Sequence, residues 1–275
     1  KTIPQISCFV VETAWPGVER VRRSTFMGLR GIANGSVTFK NVRVPAENII
    51  GKPGEGLKIA LATLNVGRLG LPAAAIGVGM AFVDDARWWV TTRQQWGQPV
   101  GKHQAIARMV SSYAAHLFAM KSMVYLTCAL ADRKNVDIRL EAAAAKYFCS
   151  ETLYRILDDY LQVRGGRGYE RATSLYERGE RPTSVEMAIR DMRVGRIFEG
   201  SSQVMHLIMA REALDTHFKL VMPILQPKPG QKLSKGEAMM KAAGFYSTWL
   251  PKLFMPETGH HFEARHLSEV NRKHL

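Results

Sequence analysis

The sequence predicts a mainly α-helical protein led by a fragment of a β unit, and three observations carry that expectation. Apolar residues recur at helical spacing through the middle of the chain. One stripe runs through Ile106, Val110, Tyr113, Leu117, Met120 and Val124, another through Leu140, Ala144, Phe148, Ile156 and Tyr160. The first fifty residues are instead rich in β-branched residues and turn signals. Of 275 residues 46% are hydrophobic, enough to bury a core. At roughly 150 residues per domain the length suits one large or two modest domains.

The β-type segment opens with ISCFVVE, passes Pro16-Gly17 and continues in SVTF and VRVP. Val37 and Phe39 alternate there as in a half-buried strand. From about Glu55 to Leu220 the spacing is helical. Long antiparallel helices are expected, because each stripe needs a second apolar face to cover it. After Pro223, QPKPGQKLSKG reads as a linker. EAMMKAAGFYSTWLPKLF beyond it reads as a short amphipathic segment.

Thirty-eight Lys and Arg against 24 Asp and Glu leave a formal charge of +14, which suits a phosphate-bearing partner: nucleic acid, an acidic membrane or a phosphorylated cofactor. The basic residues are dispersed and no recognition motif accompanies them, so nucleic acid is not expected. Cys8, Cys128 and Cys149 are odd in number and lack CxxC spacing, which excludes a disulfide framework. The opening KTIPQISCFVVE has the character of neither a secretory signal nor a transit peptide. The charge-free run Leu69 to Val83 is too short to span a bilayer and is interrupted by Pro72 and glycines, so no transmembrane helix is expected.

The loop RGGRGYE at 164–170 lacks the lysine and hydroxyl residue of a P-loop and misses the GxGxxG register; alone, it reads as a glycine cap between helices. His260, His261 and His266 lie in a stretch whose HFEARH is not HExxH, and residues five apart do not share a helix face, so no metal site is expected. Glu199 stands in RIFEGSSQVMHLIMAREAL. Gly200 with Ser201 or Ser202 looks there like the entry to a helix whose free N–H groups receive an anion. A carboxylate at that point is either a partner of the helix dipole or, once desolvated, a stronger base.

Four segments, in order, resemble the acyl-CoA dehydrogenase family: MGLRGIANGSVTFKNVRVPAENIIG, NVGRLGLPAAA, TTRQQWGQPVGKHQAIA, and QVRGGRGYE followed by RIFEGSSQ. The resemblance implies a C-terminal four-helix bundle preceded by part of the family's middle β-barrel domain. It implies a partial β domain over 1–52, a helical bundle over 53–220, and a linker with the start of a C-terminal extension over 221–275, nearest to the very-long-chain branch. There the extension is associated with membrane contact or dimer assembly. TWLPKLF can accordingly lie on a lipid surface or pack as an ordinary helix.

Function follows from the same resemblance. Glu199 is similar to the base that removes the α-proton of an acyl-CoA thioester while a β-hydride passes to FAD, giving a trans-2-enoyl-CoA. Electrons then go to an electron-transferring flavoprotein. Some relatives carry the base just before the arginine that here is Arg68; that place is Gly67, so the role falls to Glu199. Arg68 and Gly200 resemble substrate-site residues. Arg93, Trp96 and Gln104 resemble contacts to the cofactor, with Trp96 where phenylalanine is commoner. Gln162, Gly165 and Gly166 resemble the segment meeting the adenine end of a neighbouring subunit's FAD. Ser201, in place of a threonine, and Gln203 resemble flavin contacts. A homodimer or homotetramer with shared FAD, in the bacterial cytoplasm or mitochondrial matrix, is implied. The alternatives are a non-catalytic assembly partner of the same fold and an incomplete fragment lacking activity.

Overall fold

A computed structural model of the chain describes residues 5–133, 136–226 and 234–254, with 65–66 and 252–253 described by backbone alone. Residues 227–233 of the expected linker and the histidines at 260, 261 and 266 lie outside the described residues. Two compact units emerge, 1–210 and 211–275.

The β segment is two short antiparallel pairings. Strand β1 (Cys8–Phe9) pairs with β4 (Ile49–Ile50), and β2 (Val18–Arg23) with β3 (Gly35–Phe39), with a bulge between Arg20 and Arg22. The expected half-buried face of β3 is not buried: Val37 is 43% and Phe39 60% exposed. Alternation supplies an apolar face, but no second layer covers it among the described residues. VRVP forms no strand; Val42 to Pro45 have no regular structure and lead into a 3-10 turn at Ala46–Asn48.

Helix α1 (Gly56–Thr92) comes next, so NVGRLGLPAAA lies inside the first long helix rather than at its start. It ends in a hairpin of β5 (Gln94–Gln95) and β6 (Gln98–Pro99). The two turn residues, Trp96 (φ 49°) and Gly97 (φ 77°), are both left-handed, as a two-residue hairpin of this twist requires. Then follow α2 (Gln104–Ala131), α3 (Arg139–Arg164), the short α4 (Gly166–Tyr169) and α5 (Ala172–Glu177), and α6 (Val185–Met192).

Helices α1, α2 and α3 pack pairwise on one another, and α6 packs on α3. A fourth long helix, α7 (Ser202–Leu225), gives its residues to Ala210 to the same unit. The core holds Ile76, Trp89 and Val90 of α1, Tyr113, Met120 and Val124 of α2, and Leu153, Ile156, Leu157 and Tyr160 of α3. Each large aliphatic so buried contributes about 1.5–3 kcal/mol. The α2 stripe matches expectation. In α3 the stripe starts wrongly: Leu140 is 36% exposed, while Ala142, Ala143, Ala145 and Cys149 are buried. This helix is covered on several sides, and its small residues admit neighbours that a one-face pattern does not anticipate.

By length and composition α1 and α2 are apolar enough to cross a membrane, with mean hydropathy 1.6 and 1.3 in their most apolar windows. Counting only the charge-free run 69–83 hides this, because Arg68 and Asp84 end the run but not the helix. Both helices place residues in the shared core.

In the second unit, α8 (Lys235–Phe254) is longer than the short segment expected. Its start is a capping box: Glu237 accepts from the Ser234 amide at 2.8 Å, and the Glu237 amide donates to Ser234 Oγ at 3.3 Å. TWLPKLF is its last part. There Trp249 packs edge-on against His217, whereas Leu250 and Phe254 are exposed.

Candidate functional site

Between the 3-10 turn Arg193–Arg196 and the start of α7, the chain makes a turn of two left-handed residues, Glu199 (φ 53°) and Gly200 (φ 99°). Gly200 suits glycine because L side chains rarely adopt its φ of 99°, and a Cβ there would also have to displace the Met205 methyl, 2.2 Å away. Glu199 is no glycine, and holding it left-handed costs about 1–2 kcal/mol. Strain of this kind persists where surrounding structure over-determines it.

That structure comes largely from α3. Lys146, 1% exposed, donates from Nζ to Gly200 O at 2.6 Å. Five residues on, Glu151 Oε1 accepts from Ser202 Oγ at 2.5 Å and from Arg196 Nε at 2.8 Å. Burial pushes the Glu151 carboxyl up, but the bonds from Arg196 and Ser202 and the charges of Arg196 and Arg155 outweigh it and leave it below its usual range. Burial holds the Lys146 ammonium below the usual lysine range, aided by the charge of Arg68 and opposed by those of Glu199 and Glu151. Ser201 Oγ accepts from Val204 N at 3.4 Å, at the place where a helix cap belongs.

The Glu199 carboxylate faces α1. A Cβ on Gly67 would lie 2.6 Å from its Oε2, 3.0 Å from Cδ and 3.1 Å from Oε1. Oε2 is buried and has no hydrogen-bond partner among the described residues. Arg68, half-buried, follows on the same helix. Two cavities share Phe198, the residue before Glu199. One, of about 150 Å³, is lined by Pro72 and Ala75 of α1, Lys146 and Leu153 of α3, and Val194. The other, of about 310 Å³, lies between Phe26–Leu29 and Arg190–Val194. The β segment is tied down beside them. Leu29 N donates to Asp191 Oδ1 at 2.6 Å and Arg190 Nη1 to Met27 O at 2.9 Å, while a Cβ on Gly28 would meet Arg190 O at 2.3 Å.

A second group gathers where α1 ends. The Arg93 guanidinium stands 5.7 Å from the Trp89 ring, Trp96 is 87% exposed and edge-on to His103, and Gln104 is exposed at the start of α2. Trp89 joins this group to the glycine loop, since its Nε1 donates to Val163 O at 3.2 Å and the Arg164 guanidinium lies 4.1 Å over its ring. Gln162, Gly165 and Gly166 are exposed, and a Cβ at either glycine would meet nothing within 4 Å. Beneath the loop, Asp85 accepts from Tyr160 at 2.6 Å and Thr183 at 2.9 Å, with the Arg164 and Arg181 cations at 3.8 and 3.7 Å. Burial and the Asp85 carboxylate push the Tyr160 phenol above its usual range.

The residues singled out in the sequence therefore fall into two groups. Arg68, Glu199, Gly200, Ser201 and the exposed Gln203 belong to one; Arg93, Trp96, Gln104, Gln162, Gly165 and Gly166 belong to the other. Gly67 and Arg93 are separated along α1 by about 39 Å at the rise of an α-helix, so one chain does not converge them. Lys146, Glu151, Asp191 and Asp85 escape sequence reasoning; the available signal is a lysine inside the mostly apolar run between two glutamates in EAAAAKYFCSE. No cluster of three metal-ligating side chains occurs among the described residues.

A family model described as acyl-CoA dehydrogenase, C-terminal domain, matches residues 54–214. The chain is 49% identical over 274 residues, 97% of its length, to the probable acyl-CoA dehydrogenase FadE10 of Mycobacterium tuberculosis, and spans 42% of that protein. Butyryl-CoA dehydrogenase from Megasphaera elsdenii superposes with a TM-score of 0.69 at 29% identity, covering 76% of this chain and 52% of that one. An acyl-CoA dehydrogenase from Bacillus anthracis complexed with FAD gives 0.68 at 28% identity, covering 80% and 39%.

Proposed function

The chain belongs to the acyl-CoA dehydrogenase family, and from that premise we propose that it supplies the base and part of the cofactor cradle for FAD-dependent α,β-dehydrogenation of an acyl-CoA thioester. The observation that carries this reading is Glu199 Oε2, a buried carboxylate oxygen without a hydrogen-bond partner among the described residues, on a strained turn beside two cavities. A buried acceptor left open in a folded protein calls for a ligand.

The donor set fits a flavin dinucleotide. Arg93 suits a diphosphate, and Trp96 offers an exposed ring for a base. The open backbone at Gly165 and Gly166, with the Gln162 amide, admits an adenine end. Ser201 and Gln203 stand beside Glu199 for the flavin end. When bound, FAD supplies a hydride acceptor. Because the two groups are too far apart in one chain, each cofactor takes one from each of two subunits, in a homodimer or homotetramer.

Glu199 takes the α-proton onto its carboxylate, whose buried Oε2 lies against the Gly67 backbone. The Glu199 backbone N–H, fixed by the left-handed turn, stabilises the thioester oxygen as charge builds on it. Arg68 contributes positive charge at the substrate's edge. Electrons leave to an electron-transferring flavoprotein, and the enzyme works in the bacterial cytoplasm or mitochondrial matrix.

The test is Glu199→Gln in the complete polypeptide. The variant is expected to keep its yellow flavin and to lose bleaching by acyl-CoA; bleaching at the normal rate overturns the reading. A scan of acyl-CoA chain lengths with the unaltered protein defines the substrate.

A further inference from the structure

Glu199 is the single residue between two pinned stretches of backbone. Upstream, Ile197 N and Phe198 N both donate to Val194 O, at 2.8 and 3.0 Å. Downstream, Gly200 O accepts from Lys146 and Ser202 Oγ donates to Glu151. Of the two downstream ties, the lysine acts on the residue next to Glu199.

Burying an ammonium is costly unless it is hydrogen-bonded and paired. Lys146 is almost fully buried, and it donates to a backbone carbonyl rather than to a carboxylate, while Glu199 and Glu151 act on it as flanking charges. A core helix rich in alanine gains nothing from such a group in packing alone. The expense falls on one peptide of the turn that carries the carboxylate.

We propose that Lys146 is a positioning residue for the dehydrogenation: by holding the Gly200 carbonyl it keeps Glu199 left-handed and its carboxylate against Gly67, in line with the α-carbon of the substrate. This rests on Glu199 being the base. Lys146 touches neither substrate nor cofactor in this role. A displacement of the base by about 1 Å costs on the order of 10²-fold in rate, with binding left alone.

The experiment uses the complete flavin-loaded polypeptide with Lys146→Met, which keeps the length of the side chain and removes the donor, and Lys146→Gln, which removes the charge and shortens the reach. Both are expected to retain flavin and to hold KM within about twofold of the parent, while flavin reduction by acyl-CoA slows by about 10²-fold. The kinetic isotope effect with α-deuterated substrate should rise, because proton removal then limits the rate. Reduction at the parent rate by either flavin-loaded variant overturns the proposal. So does loss of flavin from both, which marks the lysine as purely structural. Glu199→Gln is run beside them: if it still reduces, the base assignment itself has failed, whereas a dead Glu199→Gln with fully active Lys146 variants defeats only the positioning role.

Discussion

The backbone amide of Leu29 donates to the carboxylate of Asp191 at 2.6 Å, joining residues 162 apart in the chain. Leu29 is itself left-handed, at φ 49°, and Gly28 lies against the Arg190–Asp191 peptide with no room for a Cβ. Gly28→Ala is expected to lower stability by about 1–3 kcal/mol, because the atom it must push is backbone. Denaturant midpoints of the parent and variant measure this; an unchanged midpoint contradicts it.

Gly67→Ala should behave in the opposite way. The added methyl meets the far end of the Glu199 side chain, which can swing aside at little cost in stability. Flavin reduction is expected to fall at least about tenfold while the melting temperature stays within a degree or two of the parent. Stopped-flow reduction alongside a thermal melt separates the two effects.

Asp85→Ala removes the anion from beneath the glycine loop. Arg164, 3% exposed, would be left as a buried charge without its counter-ion, and Tyr160 and Thr183 would lose their acceptor. The expected loss is about 3–5 kcal/mol. Because Gly165 follows Arg164, the variant should also bind FAD more weakly, as equilibrium dialysis would show.

The knot at Glu151 predicts a pH dependence. Its carboxyl lies below the ordinary 4.5 in the folded chain, so the folded state binds this proton less readily than the unfolded state does. The stabilisation is therefore present above about pH 4.5 and fades as the pH falls through the lower, folded value. Glu151→Gln should flatten that part of the stability curve. Chemical denaturation at a series of pH values from 7 down to 3, at about half-unit steps, would reveal an unflattened slope if the assignment is wrong.

The α2 stripe is legible in the sequence because that helix buries one face, whereas α3 is covered around much of its surface and a single stripe places Leu140 wrongly. The alternation of Val37 and Phe39 correctly marks a strand but says nothing of what covers it. Glu199 stands out in the sequence through the resemblance carried by RIFEGSSQ, because the local run of loop, glycine and helix start leaves it open between a helix-dipole partner and a base. Lys146 and Glu151 do not, since they reach the turn from 54 and 51 residues away, and a charged residue in a helix reads first as solvent-facing. The separation of the two groups is geometric, and only the length of an intact α1 exposes it.

The empty shoulder on α1 ties two distant positions together. The Glu199 carboxyl fills the space that any side chain at residue 67 would enter, so positions 67 and 199 cannot both carry a bulky group. Enlarging residue 67 and trimming residue 199 are therefore coupled changes, whose combined effect differs from the sum of the two made singly.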